Sequence, residues 1–390
     1  MQSLFELGTD PNQIQLIHKK LRIPYMGSKQ EISTLLLKQM LAKKPKAKYF
    51  YDLFGGGGAM SLCALVNNFK VHYNEINTCV RELLEHLVQA DKMEDRFLDW
   101  VSRDDFNRLK HEKGYYPEFV RIVYSFGNRG TSYAYKPEIE ELKRRTHEAV
   151  VHNRIEDITY FAERLESQAV MDLHQEFKHL DWVQRRALWV ELVIKAASIH
   201  LTGLSKVKPH YKTMSLHSLI NLKNKHIVAD IKEHIPNVKY TAYQDNHGLE
   251  ELKQLQPDEQ NMPHLSALVS LEALVRMTHI YSIATMDPAL SKRIGFSSLS
   301  YDQVEITTPP EETIIYCDPP YLSTATYRGI NRFNHEAFFK WASESPHSVF
   351  VSEYCDIPDL TLIYEKSKIV KMAADSNANK STERLYWNGK

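Results

Sequence analysis

The chain has 390 residues, with 49 Lys plus Arg balanced by 49 Asp plus Glu, and 43% of its residues are hydrophobic. That length holds one large domain with a sizeable insertion, or two domains, at an apolar share ordinary for a globular fold. Zero formal net charge gives no chain-wide pull toward nucleic acid, so any such pull must be local. No apolar run reaches the roughly eighteen residues that a membrane-spanning helix needs.

Met1 to Asp10 carries Glu6 and Asp10 without a basic start, so it does not read as a secretory signal. Cys63, Cys79, Cys317 and Cys355 show no C-x-x-C spacing and the histidines show no H-E-x-x-H, so reduced thiols and no metal site are expected. Tyr49-Phe50-Tyr51-Asp52-Leu53-Phe54 reads as an apolar strand ending near an acid, followed by Gly55 to Gly58 and a helical pattern through Leu62, Leu65 and Val66. Strand, glycine turn and helix open a nucleotide-binding α/β unit, because glycine lets backbone approach a ligand closely. The turn lacks the Lys-Ser/Thr of a phosphate-cradling loop and the spacing of a dinucleotide fingerprint. A second strand, Lys70 to Asn74, ends at Glu75, an acid placed to take two ribose hydroxyls. Its competing reading is a helix N-terminal charge ahead of Asn77 and Thr78.

The middle is mainly helical, with apolar spacing over 81–97, 137–151, 158–169 and 182–200. Two segments have the composition of nucleic-acid contacts. Residues 126–133 form a glycine-punctuated loop carrying Arg129, with Lys143, Arg144 and Arg145 on the next helix. Between Leu201 and Tyr240 seven lysines face only Asp230 and Glu233, and Lys206, Lys208 and Lys212 interleave with His210 and Tyr211. A solvated lysine-rich face is the alternative. Residues 238–243 look like a strand ending near Asp245, although Gln244-Asp245-Asn246 is also turn chemistry. Over 248–275 leucines recur every three residues, a step that drifts around an α-helix, and 248–300 reads as an insertion.

The most informative residues are Asp318-Pro319-Pro320-Tyr321, directly after the apolar strand Thr313 to Cys317. Two prolines end the ladder and leave a rigid rim carrying a carboxylate, a free carbonyl and a ring. Two acceptors can take both hydrogens of an exocyclic amine while the ring stacks on its base. Asp-Pro also marks ordinary turns. Cys317 is expected to pack rather than react. Asn334 should cap a helix starting at His335, with Phe338, Phe339 and Trp341 in the core rather than Phe333 and His335 at a pocket mouth. Residues 348–352 form another strand, and 369–373 with 383–387 a closing hairpin around a polar loop that includes Lys380.

The order of these motifs, with Pro24-Tyr25-Met26-Gly27-Ser28-Lys29 ahead of the first strand, resembles the Dam-type (D12, alpha-class) adenine-N6 DNA methyltransferases over about 22–77 and 310–387. The resemblance implies an α/β fold: an S-adenosylmethionine-dependent methyltransferase (Rossmann-like) sheet with an inserted, mainly helical target-recognition region. It implies a catalytic domain from 1–80 and 236–390 around a recognition domain at 81–235. Tyr25 and Lys29 match the family's N-terminal cofactor motif, Ser28 standing where the family has glycine. Asp52, Phe54, Gly55 and Gly57 match the cofactor strand and turn, and Glu75 stands where the family has aspartate. Asp245 matches the acid that holds the cofactor's adenine amine. Asp318, Pro319, Pro320 and Tyr321 would be the catalytic rim, with methyl transfer to N6 of a flipped-out adenine by in-line displacement. Arg129, Lys206, Lys208 and Lys212 would contact double-stranded DNA. The family's biology implies a cytoplasmic bacterial or phage enzyme of DNA modification or restriction-modification, leaving open a homodimer and a cognate restriction endonuclease as partners. Two alternatives remain: a cytosine-N4 or RNA amine methyltransferase, and a non-catalytic nucleic-acid-binding protein on the same fold.

Overall fold

A computed structural model describes residues 21–25, 27–90, 92–164, 167–201, 271–322, 333–369 and 380–390. Seven strands form one sheet in the order β3-β2-β1-β4-β5-β7-β6. They are β1 (Tyr49–Asp52), β2 (Lys70–Asn74), β3 (Ile294–Ser297), β4 (Thr313–Cys317), β5 (Ser348–Glu353), β6 (Thr361–Ile369) and β7 (Lys380–Trp387). The first five are parallel, and β7 runs antiparallel to both β5 and β6. The sheet closes with a hairpin whose first strand is Thr361–Ile369; of the strand expected over 369–373, residues 370–373 lie outside the described residues.

Period-two alternation splits the strands between two apolar clusters. Phe50, Ile314, Tyr316 and Phe350 enter the larger one, with α1 (Ser33–Lys43), α2 (Ala59–Val66) and α3 (Thr78–Gln89). Tyr51, Ile315, Cys317, Val349 and Val351 enter the smaller one, with the helix His335–Glu344. Both faces are covered, which is why β4 and β5 are buried at every position. Cys317 is fully buried in this core.

Between β2 and β3 the chain forms α4 (Arg103–Leu109), α5 (Tyr115–Val123), α6 (Pro137–Val151), α7 (Ile155–Arg164), α8 (Gln168–Phe177), α9 (Trp182–Leu201) and α10 (Glu272–Ala284); His335–Glu344 is α11. The helix expected over 158–169 is divided into two, because the Ser167 side chain accepts from the Val170 N–H and caps a new helix. No described helix is long and apolar enough to cross a membrane.

The reading of 248–300 as an insertion needs correction at its C-terminal end. β3 pairs with β2 over Val71–Asn74 and belongs to the sheet itself. Leu274, Met277 and Ile280 of α10 are buried in the same core as α3 and α5. Residues 202–270, including Asp245, Lys206, Lys208, Lys212 and most of the leucine repeat, lie outside the described residues. The basic triplet on α6 also differs from expectation. Lys143 is buried beside Glu272 at 3.6 Å, while Arg144 and Arg145 pair with Glu141 and Asp157, so internal partners take up their charge.

Candidate active site

β1 and β4 are neighbours, and the chain leaves them in opposite directions across the sheet: β2 and β3 lie beyond β1, β5 beyond β4. Ligands of open α/β sheets bind outside the carboxyl ends of strands at such a reversal. Both sequence motifs end up there. β1 ends at Asp52, and β4 runs directly into Asp318. A cavity of about 450 Å³ opens between them, lined among others by Tyr25, Lys29, Asp52, Phe54, Gly55, Gly57, Glu75, Asp318 and Tyr321. Every described residue assigned to cofactor or catalysis from the sequence borders this one space, Pro319 and Pro320 included. Arg129 does not; it is exposed on the loop after α5.

The glycine turn is shaped by close packing. A Cβ on Gly55 would run into the Tyr73 ring, and one on Gly57 would lie 2.5 Å from the Ile23 carbonyl oxygen. Gly56 and Gly58 have φ of +48° and +75°, which glycine adopts without strain. The Tyr73 hydroxyl donates to the Gly56 carbonyl (2.6 Å), and the Ile23 N–H to the Gly57 carbonyl (2.9 Å). The N-terminal segment carrying Tyr25 is thereby laid across the turn.

Glu75 accepts from the Gly56 N–H and the Asn77 N–H, each at 2.8 Å. A carboxylate has about four acceptor positions, so capacity remains for two hydroxyl donors. The helix-cap reading belongs to Asn77, whose side chain accepts from the Cys79 N–H. Asp52 accepts from Ser61 Oγ at 2.7 Å, and its other oxygen, Oδ1, is buried with no hydrogen-bond partner among the described residues. Burial pushes its carboxyl up to about 7, the Ser61 hydrogen bond opposing and Asp318 and Glu75 adding to the rise. An ammonium group from a ligand would satisfy Asp52.

The Asp318 carboxylate is divided in the same way. Lys29 Nζ sits 2.8 Å from Oδ2, whereas Oδ1 is buried and without a hydrogen-bond partner among the described residues. One oxygen is held and the other is left to accept. The Lys29 ammonium lies 4.8 Å from the centroid of the Tyr321 ring and 3.6 Å from Glu383 of β7. Burial disfavours its charge, but Asp318 and Glu383 more than offset this and its pKa is raised. The resemblance assigned Lys29 to the cofactor carboxylate or to loop organisation, and its partners here are carboxylates of the protein.

The fold adds three contributors: Glu383 and Tyr354 are not marked by the sequence, and His335 is read there only as the start of a helix. Glu383 reads as one more charge on a strand, next to Arg384. Tyr354 packs edge-on against Tyr321 with centroids 4.2 Å apart. His335, the first residue of α11, reaches the Pro320 carbonyl at 2.7 Å; because a carbonyl only accepts, its Nε2 carries the proton. The expectation for the region after the rim therefore holds in part. Asn334 caps α11 through the Ala337 N–H and Phe338 is buried, yet Phe333 and Asn334 also line the cavity. Phe54, Tyr301 and Phe333 form its aromatic floor, with centroids 5.7 to 6.0 Å apart. Among the described residues no group of three His, Cys, Asp or Glu is placed to hold a metal.

No curated protein matches the chain. Residues 278–377 match the family model of the D12 class N6 adenine-specific DNA methyltransferases. The match spans β3 to β6 and so includes Asp318 and the rim. That match, lying on a mainly parallel seven-stranded α/β sheet, indicates an adenine-specific DNA methyltransferase.

Proposed function

We propose that the protein methylates N6 of adenine at a defined DNA sequence, using S-adenosylmethionine, on a base rotated out of the duplex. The observation that carries the reading is the divided Asp318 carboxylate, with Oδ2 on Lys29 and Oδ1 unpartnered at the cavity. When bound, S-adenosylmethionine supplies a methyl group already activated on a sulfonium. The chain's part is to hold the amine. Adenine N6 is a poor nucleophile because its lone pair is spread into the ring. Asp318 Oδ1 and the Pro319 carbonyl accept its two hydrogens and draw the nitrogen toward tetrahedral geometry. Tyr321 provides the face on which the base rests. Placement and charge complementarity supply the acceleration, without a covalent intermediate. N6 is paired inside a duplex, so access to this rim requires the base to leave the stack.

The donor set suits the proposed cofactor. Asp52 would take the ammonium, Glu75 the ribose hydroxyls, and Tyr25 with the glycine turn would border the chain between them. Asp245, matched by the resemblance to the acid for the cofactor's adenine amine, lies outside the described residues; Leu299, Ser300 and the exposed Ile76 also border the cavity. A role in DNA modification, alone or opposite a restriction endonuclease, follows from the activity class. Arg129 on its exposed loop is retained as a DNA contact. Asp318→Ala tests the reading: methyl transfer should fall at least about 100-fold, while calorimetry still detects cofactor binding. Near-normal transfer would contradict the amine clamp.

A further inference from the structure

We propose that Glu383 is a positioning residue for methyl transfer: by holding Tyr321 and Lys29 together, it sets the direction in which Asp318 offers its accepting oxygen. The inference rests on Asp318 being the amine acceptor. Glu383 lies on β7, outside the segment that matches the family model, and is buried. Its Oε1 accepts from the Tyr321 hydroxyl at 2.8 Å and lies 3.6 Å from Lys29 Nζ. Lys29 in turn stands over the Tyr321 ring and binds Asp318 Oδ2.

The geometry makes one carboxylate dependent on the other. Lys29 is a flexible side chain with one ammonium and two carboxylates within ion-pair distance, Glu383 buried and Asp318 partly so. Beyond Asp318, Lys29 Nζ has a long contact to the Gly27 carbonyl at 3.4 Å, and with Asp318 as its one carboxylate the ammonium could swing toward the unpartnered Oδ1 and fill the acceptor the amine needs. Glu383, a second carboxylate 3.6 Å from the ammonium, holds it against that swing. The same oxygen of Glu383 fixes the Tyr321 hydroxyl, while Tyr354 meets that ring edge-on. Ring plane and accepting oxygen are therefore set by one residue that need not touch the base. A buried glutamate on a sheet strand costs desolvation, which raises its carboxyl, and Lys29 and the Tyr321 hydroxyl offset part of that cost.

The test uses the full chain and unmethylated DNA, comparing Glu383→Gln, Glu383→Ala and Tyr321→Phe with wild type. Single-turnover methyl transfer, cofactor affinity by calorimetry, KM for DNA and melting temperature are measured on each. Glu383→Gln keeps an acceptor for Tyr321 but removes the charge that shares Lys29. It should lower kcat about threefold to tenfold with KM for DNA and cofactor affinity within about twofold. Glu383→Ala should lose more, and its loss should shrink in a Tyr321→Phe background because both act on one ring. Wild-type kcat in Glu383→Gln would overturn the proposal even if the alanine variant does not fold. So would losses from Glu383→Ala and Tyr321→Phe that multiply independently. Asp318→Ala separates the two claims: if it is inactive while Glu383→Gln is normal, only the role of Glu383 fails; if it is active, the amine clamp fails.

Discussion

Asp52 shows how burial writes a pH dependence into the site. Its carboxyl, ordinarily at 3.8, is raised to about 7, so the folded chain keeps a proton that the unfolded chain releases. The stability carried by the neutral form is full below 3.8 and is lost as pH rises to about 7. The melting temperature of the ligand-free protein should therefore fall across that window through this group, and Asp52→Asn should remove that part of the slope. Affinity for a cofactor bearing an ammonium should rise over the same range as Asp52 ionises, again less in Asp52→Asn; titration calorimetry at several pH values reads both. Asp52, Glu75 and Asp318 were legible in the sequence because each stands at the end of an apolar strand, where an acid is poor packing and good chemistry. Glu383 was not. It alternates within a strand whose next residue, Arg384, makes ordinary ion pairs with Glu365 and Asp356, and only the fold brings it to Tyr321.

Among elements, the glycine turn and α11 carry the sharpest expectations. Gly57→Ala places a methyl 2.5 Å from the Ile23 carbonyl and 2.9 Å from Tyr25 Cβ. Overpacking of this kind costs about 1 to 3 kcal/mol. It also pushes away the segment that carries Tyr25, so urea unfolding should show the loss and cofactor affinity should fall at least about tenfold, a 1.4 kcal/mol effect. His335→Ala removes the donor to the Pro320 carbonyl; transfer should drop several-fold with cofactor affinity unchanged, since the tie bears on the rim alone. α6 was readable to its ends from the Pro137 start and its apolar spacing, and Asn334 from its place before α11. β3 escaped notice because Ile294-Gly295-Phe296-Ser297 is four residues long, contains glycine and has no alternation to mark it. Its membership of the sheet is decided by pairing with β2, a long-range contact that local pattern does not encode.

On the scale of the whole molecule, the sheet order explains why two motifs more than 250 residues apart in sequence make one site. β1 and β4 are hydrogen-bonded neighbours, with Asp52 opposite Tyr316, so Asp318 is two residues from the end of the glycine strand. The α/β class and the two halves of the sheet were legible because β1, β2, β4 and β5 are apolar runs followed by chemistry-bearing residues. The division of the middle region was legible only as helices, since their packing on α3 and α10 depends on contacts between faces. The most direct measurement is transfer of labelled methyl from S-adenosylmethionine to unmethylated genomic DNA, followed by nucleoside mass spectrometry and mapping of the modified positions. N6-methyladenine at one defined sequence is the expected product; N4-methylcytosine, or DNA left unmodified by a protein that binds the cofactor, would rule out adenine-N6 methylation.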